Sequence, residues 1–159
     1  MTAVNHALTG AVIAVAVQRP LLAIPLAFVS HFALDGLPHF GIPIEGKSSA
    51  DAVARNRKPF YRLILRFDLL LTVVLLISLG VILHGQALVY LVLVCSVVAI
   101  SPDFVWLYLF LKQMKAGKLL PYGWFSRFHK WIQWSEKPWG LGVEAVWLGL
   151  AVAALAILL

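Results

Sequence analysis

Apolar and polar positions divide this chain into long hydrophobic blocks separated by short polar breaks. Residues 3–17 are almost wholly apolar, and Gln18, Arg19 and Pro20 interrupt them before residues 21–35 resume the pattern. The spacing predicts two helices here, with Pro20 placed to open the second at its first turn, where its missing N–H costs nothing. Further apolar blocks over 60–83, 87–111 and 140–159 predict three more helices. A bilayer span needs roughly 20 apolar residues, so the last three blocks are long enough and the first two are short. The short pair can tilt, sink against other helices or form a re-entrant hairpin. His84, Gly85 and Gln86 make a tight turn between the third and fourth blocks. The longer polar connections cover 36–58 and 112–138. The expected fold class is all-α: one polytopic helical bundle over 1–159, with about five membrane-inserted helices.

The second connection contains P-Y-G-W-F-S-R-F-H-K-W-I-Q-W, residues 121–134. Trp124, Phe128 and Trp131 share a helical face by 3–4 spacing, while Arg127, Lys130 and Gln133 form much of another. This predicts an amphipathic helix lying in the headgroup layer, with His129 assigned to the interface and His84 to its turn.

Composition agrees with a membrane protein. Hydrophobic residues make up 62% of the chain and mean hydropathy is +0.91, well above a soluble domain. The single cysteine, Cys95, excludes an intramolecular disulfide. The N-terminal M-T-A-V-N-H lacks the basic region of a signal peptide, so the expectation is retention through the chain's own helices. The net charge of +6 raises nucleic acid as a partner, but its distribution argues against it. If the blocks alternate direction, twelve of the thirteen Lys and Arg residues fall on one side of the bundle, and only Arg19 falls on the other. Charge beside spans sets orientation, so the basic side is expected in the cytoplasm, with the N-terminus inside. Membrane lipids are the expected partners, and nucleic acid is not.

The ionisable residues inside the blocks change the picture from anchor to site. His6, His31, Asp35, Asp68, Asp103 and Glu144 all fall toward the same basic side, and such groups are costly in a bilayer. His31 and Asp35 are four apart and share a helical face. Gly36 and Pro38 end that helix, so His39 can fold back toward the same place. Asp103 follows Pro102, whose missing donor opens neighbouring carbonyls. Converging carboxylates repel one another in low dielectric, and a divalent cation relieves that repulsion. Imidazole nitrogen with carboxylate oxygen suits zinc. The candidate metal ligands are therefore His6, His31, Asp35, His39 and Asp103, with Asp68 and Glu144 as candidate catalytic carboxylates. Each has a plainer alternative: a satisfied histidine at a capped helix end, an Arg66–Asp68 pair, a cap at Asp103, or pairing of Glu144 with Lys137 or water.

The run S-H-F-A-L-D-G-L-P-H-F-G-I-P-I resembles the His-x-x-x-Asp, Pro/Gly-rich signature of small bacterial inner-membrane metal-dependent hydrolases. N-H-A-L-T-G-A resembles their early His-bearing helix, and S-P-D-F-V-W part of their Pro-Asp motif. The resemblance implies His6, His31, Asp35 and Asp103 as metal ligands and a bacterial inner-membrane location. A looser likeness extends to zinc-dependent phospholipases C. Val105 and Trp106 stand where the family pattern carries an acidic residue and a histidine, and the His-x-x-x-Asp run comes early rather than late.

Three functions follow as expectations. The first is a cytoplasm-facing, membrane-embedded metal-dependent hydrolase acting on a phospholipid or another amphiphilic phosphoester. The second is a non-catalytic membrane protein with a structural metal or a buried polar network. The third is an ion or proton carrier, which the near absence of polar residues on the opposite side opposes.

Overall fold

A computed structural model describes residues 1–41, 59–116 and 123–159. The basic residues Lys47, Arg55, Arg57, Lys58 and Lys118, and the rest of both connections over 42–58 and 117–122, lie outside the described residues. The described chain is almost entirely helical: α1 (Ala3–Val17), α2 (Pro20–Asp35), α3 (Pro59–Ile82), α4 (Val89–Ala116), α5 (Trp124–Ile132) and α6 (Gly140–Leu158). A 3-10 turn, Gln133–Ser135, follows α5. Two short strands, β1 (His39–Phe40) and β2 (Glu136–Lys137), pair in parallel, with His39 opposite Glu136. Within α3, α4 and α6, the segments Arg62–Ile82, Val89–Gln113 and Gly140–Leu158 are long and apolar enough to cross a membrane.

The predicted break at Gln18-Arg19-Pro20 forms the α1–α2 corner. Gln18 takes the left-handed conformation and returns its N–H to Ala14 O, and Pro20 stands at the start of α2. At 15 and 16 residues, both helices are too short for a perpendicular span. The short α1 is the central helix, packed against α2, α3, α4 and α6. Every residue from Val4 to Ala11 is buried, the polar Asn5, His6 and Thr9 among them. Its small residues permit this. A Cβ added at Gly10 would lie 2.3 Å from the Cys95 carbonyl oxygen, so glycine is required where α1 crosses α4, in the manner of close-packed membrane helices.

α3 buries a single stripe. Thr72, Leu79 and Leu83 just past its end are buried, spaced seven and four apart, and Asp68 begins the same stripe one turn earlier. Leu63, Phe67, Leu69, Leu70, Val73, Val74, Ile77, Val81 and Ile82 form an exposed apolar surface on α3. On α2 the buried set is Ala23, Ala27, His31, Leu34 and Asp35, so the predicted common face of His31 and Asp35 points inward. The apolar core gathers Leu8, Ala11, Ala14, Leu79, Leu83, Val92, Cys95, Ala99 and Leu155.

One boundary differs from expectation in a way that matters. α4 runs to Ala116 rather than ending near 111. Lys112, Gln113 and Lys115 are good helix formers and extend it. Asp103 therefore sits near the middle of α4, with about 20 Å of helix beyond it at 1.5 Å per residue.

Candidate metal centre

Four side chains from three helices converge at the polar end of α1 and α2. His31 and Asp35 come from α2, Asp103 from α4 and His129 from α5, and one ligand atom of each lies within 4.8 Å of all the others. Each element supplies its residue for a local reason. On α2 the i, i+4 spacing stacks His31 below Asp35. On α4, Pro102 removes one amide donor, and two carbonyls in the preceding turn take side-chain donors instead: Val98 O from Ser101 Oγ at 2.8 Å and Ala99 O from His31 Nδ1 at 2.8 Å. On α5, Phe125 and Phe128 pack around Phe32 of α2, with ring centroids 6.2 and 5.4 Å away. That packing turns His129 inward.

The bond to Ala99 O fixes the histidine chemistry. A carbonyl only accepts, so His31 Nδ1 carries the hydrogen, and in the neutral ring Nε2 presents its lone pair to the cluster. This is the arrangement of a metal-ligating histidine whose other nitrogen is held by the protein. His31 Nε2 lies 3.0 Å from His129 Nε2, 3.3 Å from Asp35 Oδ2 and 3.7 Å from Asp103 Oδ1. His129 Nε2 lies 2.7 Å from Asp35 Oδ2 and 3.9 Å from Asp103 Oδ1. Ligand atoms around a tetrahedral zinc, with bonds of about 2.0–2.2 Å, are separated by about 3.3–3.6 Å. The five distances straddle that range, and the donor set of two imidazoles and two carboxylates is one that zinc accepts. The residues present thus fit a divalent ion.

A shell of further contacts holds the cluster. Gln133, one turn after His129, donates from Nε2 to Asp35 Oδ2 at 3.1 Å. His6 donates from Nε2 to Asp35 Oδ1 at 3.2 Å and stacks on His31 with centroids 4.0 Å apart. The amino group of Met1 also reaches Asp35 Oδ1. His31, Asp35 and His6 are fully buried and His129 nearly so, while the Asp103 side chain is 27% exposed. Among the described residues, the cluster is therefore open at Asp103.

The other expected site residues are placed differently. His6 lies against Asp35 rather than among the four. His39 is buried in β1, where its Nδ1 donates to Leu37 O at 2.8 Å. Burial holds the His39 imidazole below its ordinary pKa. His39 Nε2 and His6 Nδ1 are buried lone pairs with no partner among the described residues. Asp68 accepts the first-turn amides of α1, from Ala3 at 2.8 Å and Val4 at 3.0 Å. Glu144 accepts Thr2 N at 3.0 Å and Phe40 N at 2.8 Å, tying α1 and β1 to α6. Neither carboxylate belongs to the four-residue group.

His129 corrects the sequence reading. It was expected at the membrane interface, and the structure buries it within bonding distance of Asp35. Gln133, expected on the polar face, also turns inward. The aromatic stripe Trp124–Phe128–Trp131 conceals a second one, Phe125–His129–Ile132, that marks the buried side of α5. His84 is exposed in its turn, as expected.

Fold and site together define a helical protein with membrane-length apolar helices and a buried His/Asp cluster that could hold a metal ion. Comparison with protein-family models, curated proteins and solved structures finds no match to this chain.

Proposed function

We propose that this chain is a membrane-embedded, metal-dependent hydrolase of the bacterial inner membrane. Its N-terminus and site face the cytoplasm, and its substrate is a phospholipid or another amphiphilic phosphoester. The observation that carries the reading is the four-residue cluster with its open edge at Asp103. Catalytic zinc sites keep a position for water or substrate, at times by expanding to five ligands, and the exposed edge at Asp103 is where that position would lie. His31, Asp35, Asp103 and His129 would hold the ion, zinc by the nature of the donors. The bound ion supplies water activation and polarisation of a phosphoryl oxygen.

The remaining roles belong to the chain. His6 and Gln133 hold the Asp35 carboxylate in place, and Ala99 O holds the His31 ring. Asp103, at the open edge, is the carboxylate that meets an entering substrate and the best placed to take a proton. Asp68 and Glu144 are already engaged with backbone amides, so their role is to position α1 and β1. Lys and Arg residues on the same side attract anionic headgroups.

A second reading has its own support. Asp35 Oδ2 has His129, His31 and Gln133 around it, and three of the four donors are shielded from solvent. A structural metal or a closed polar network would use these contacts equally well. The test is hydrolysis of a phospholipid and phosphoester panel by protein in liposomes. The hydrolase reading expects turnover that chelation abolishes, zinc restores, and Asp103→Asn lowers more than about 100-fold. A metal-loaded wild type that hydrolyses nothing in a phosphoester and peptide panel, and unfolds on chelation, establishes the scaffold instead.

A further inference from the structure

Helix α5 has three sides, not two. At about 100° per residue, Phe125, His129 and Ile132 share one side, Trp124, Phe128 and Trp131 a second, and Arg127 with Lys130 a third. The first side faces the metal cluster. The second faces outward, with Trp124 80% and Trp131 74% exposed. The third is exposed and basic. Trp134 and Trp139 continue the exposed aromatic surface toward α6.

Among the described residues, the ties of α5 and the turn after it to the bundle include His129 and Gln133 on Asp35, His129 beside His31 and Asp103, the Phe32 ring contacts, and Ser135 Oγ donating to Gly36 O and Leu37 O at 3.2 and 2.7 Å. A helix of nine residues is well below the roughly 12–15 needed for stability in water. It therefore depends on what both of its other sides touch.

We propose that α5 docks in an anionic headgroup layer and carries His129 into the metal site, so that metal affinity and membrane attachment of α5 are thermodynamically linked. Tryptophans at an interface and exposed cations beside them fit an anionic lipid surface, and α5 lies where the apolar helices α2 and α6 end. Linkage is reciprocal: lipid that holds α5 in place tightens the metal, and metal bound through His129 tightens α5 on the lipid. This inference rests on the metal-binding part of the proposed function and not on hydrolysis.

The test uses the full chain in nanodiscs of phosphatidylcholine alone or mixed with phosphatidylglycerol, with zinc affinity measured by competition against a chromogenic chelator. Wild type is expected to bind zinc about tenfold more tightly in the anionic discs, from two basic side chains near the surface. Zinc gathered non-specifically by anionic lipid would affect every variant alike. The Arg127→Gln/Lys130→Gln double variant is therefore expected to lose most of the difference while keeping wild-type affinity in neutral discs. A second readout is quenching of tryptophan fluorescence by brominated lipid, which chelation should reduce. Equal zinc affinity in both discs, a lipid effect undiminished in the double variant, or quenching indifferent to chelation each overturns the linkage and leaves metal binding standing. Quenching that is absent altogether also overturns it and assigns the aromatic side to a protein partner. No zinc bound in either disc removes the metal reading and the linkage together.

Discussion

Two pairs of carboxylates lie at the same end of this bundle and do different things. Asp68 and Glu144 face backbone amides: Ala3 and Val4 for the first, Thr2 and Phe40 for the second. Asp35 and Asp103 face imidazoles: His31 and His129, with His6 behind Asp35. Depth and burial do not separate the pairs, but partner chemistry does. An amide can only donate, so a carboxylate that accepts two amides acts as a helix cap and a tie between segments. An imidazole offers a lone pair as well as a hydrogen. Two imidazoles and two carboxylates that turn acceptor atoms toward one point leave that point suited to a cation.

Substitutions break this comparison in opposite ways. The largest effect is expected from Asp35→Asn. It should weaken zinc binding more than about 100-fold, beyond the 10–100-fold typical of outer-shell changes, as read by chelator competition. His6→Gln, which touches Asp35 Oδ1 and the His31 ring without being one of the four, is expected to fall within that outer-shell range by the same assay. Asp68→Ala should do the reverse. Two amides at the start of α1 lose their acceptor, costing about 3 kcal/mol of stability in detergent unfolding, with zinc affinity within about twofold of wild type. Asp68→Ala that empties the metal site while the fold persists would merge the two pairs and end the distinction.

The smallest expected effect is on pH. His39 is buried beside the Glu144 tie, and its imidazole is held below the ordinary value of 6.5. A histidine depressed in the folded state contributes its full stability above that value and loses it as pH falls through it. Thermal stability should therefore decline on acidification from neutral pH, and His39→Gln should flatten that decline. A slope identical in the variant would place the acid sensitivity in the other histidines.

Much of this arrangement was legible in the sequence, because it rests on local spacing. The corner at Gln18-Arg19-Pro20, the shared face of His31 and Asp35, and the open carbonyls before Pro102 each follow from the residues themselves. The gathering of His6, His31, Asp35, Asp68, Asp103 and Glu144 toward one end followed from alternation of the helices. What local spacing does not contain is which donor each group meets. Thr2, at the N-cap of α1, makes no side-chain cap bond, which leaves the amides of Ala3 and Val4 in need of an acceptor. That the acceptor is Asp68 depends on α3 packing beside α1. His129 was missed for the same reason. Its inward side is set by Phe125 and Phe128 closing on Phe32, a contact between residues about 90 positions apart in the chain, while the more exposed tryptophans dominate the helix pattern.

The central claim is that His31, Asp35, Asp103 and His129 bind a divalent ion as a set while Asp68 and Glu144 do not. Elemental analysis of the purified chain, incubated with zinc and freed of excess, tests it directly. Stoichiometric metal is expected in wild type and in Asp68→Asn, and little or none in Asp35→Asn or in His31→Gln/His129→Gln. A well-folded wild type with substoichiometric metal, or full occupancy in Asp35→Asn, would contradict the claim and leave the cluster as a buried hydrogen-bonded network.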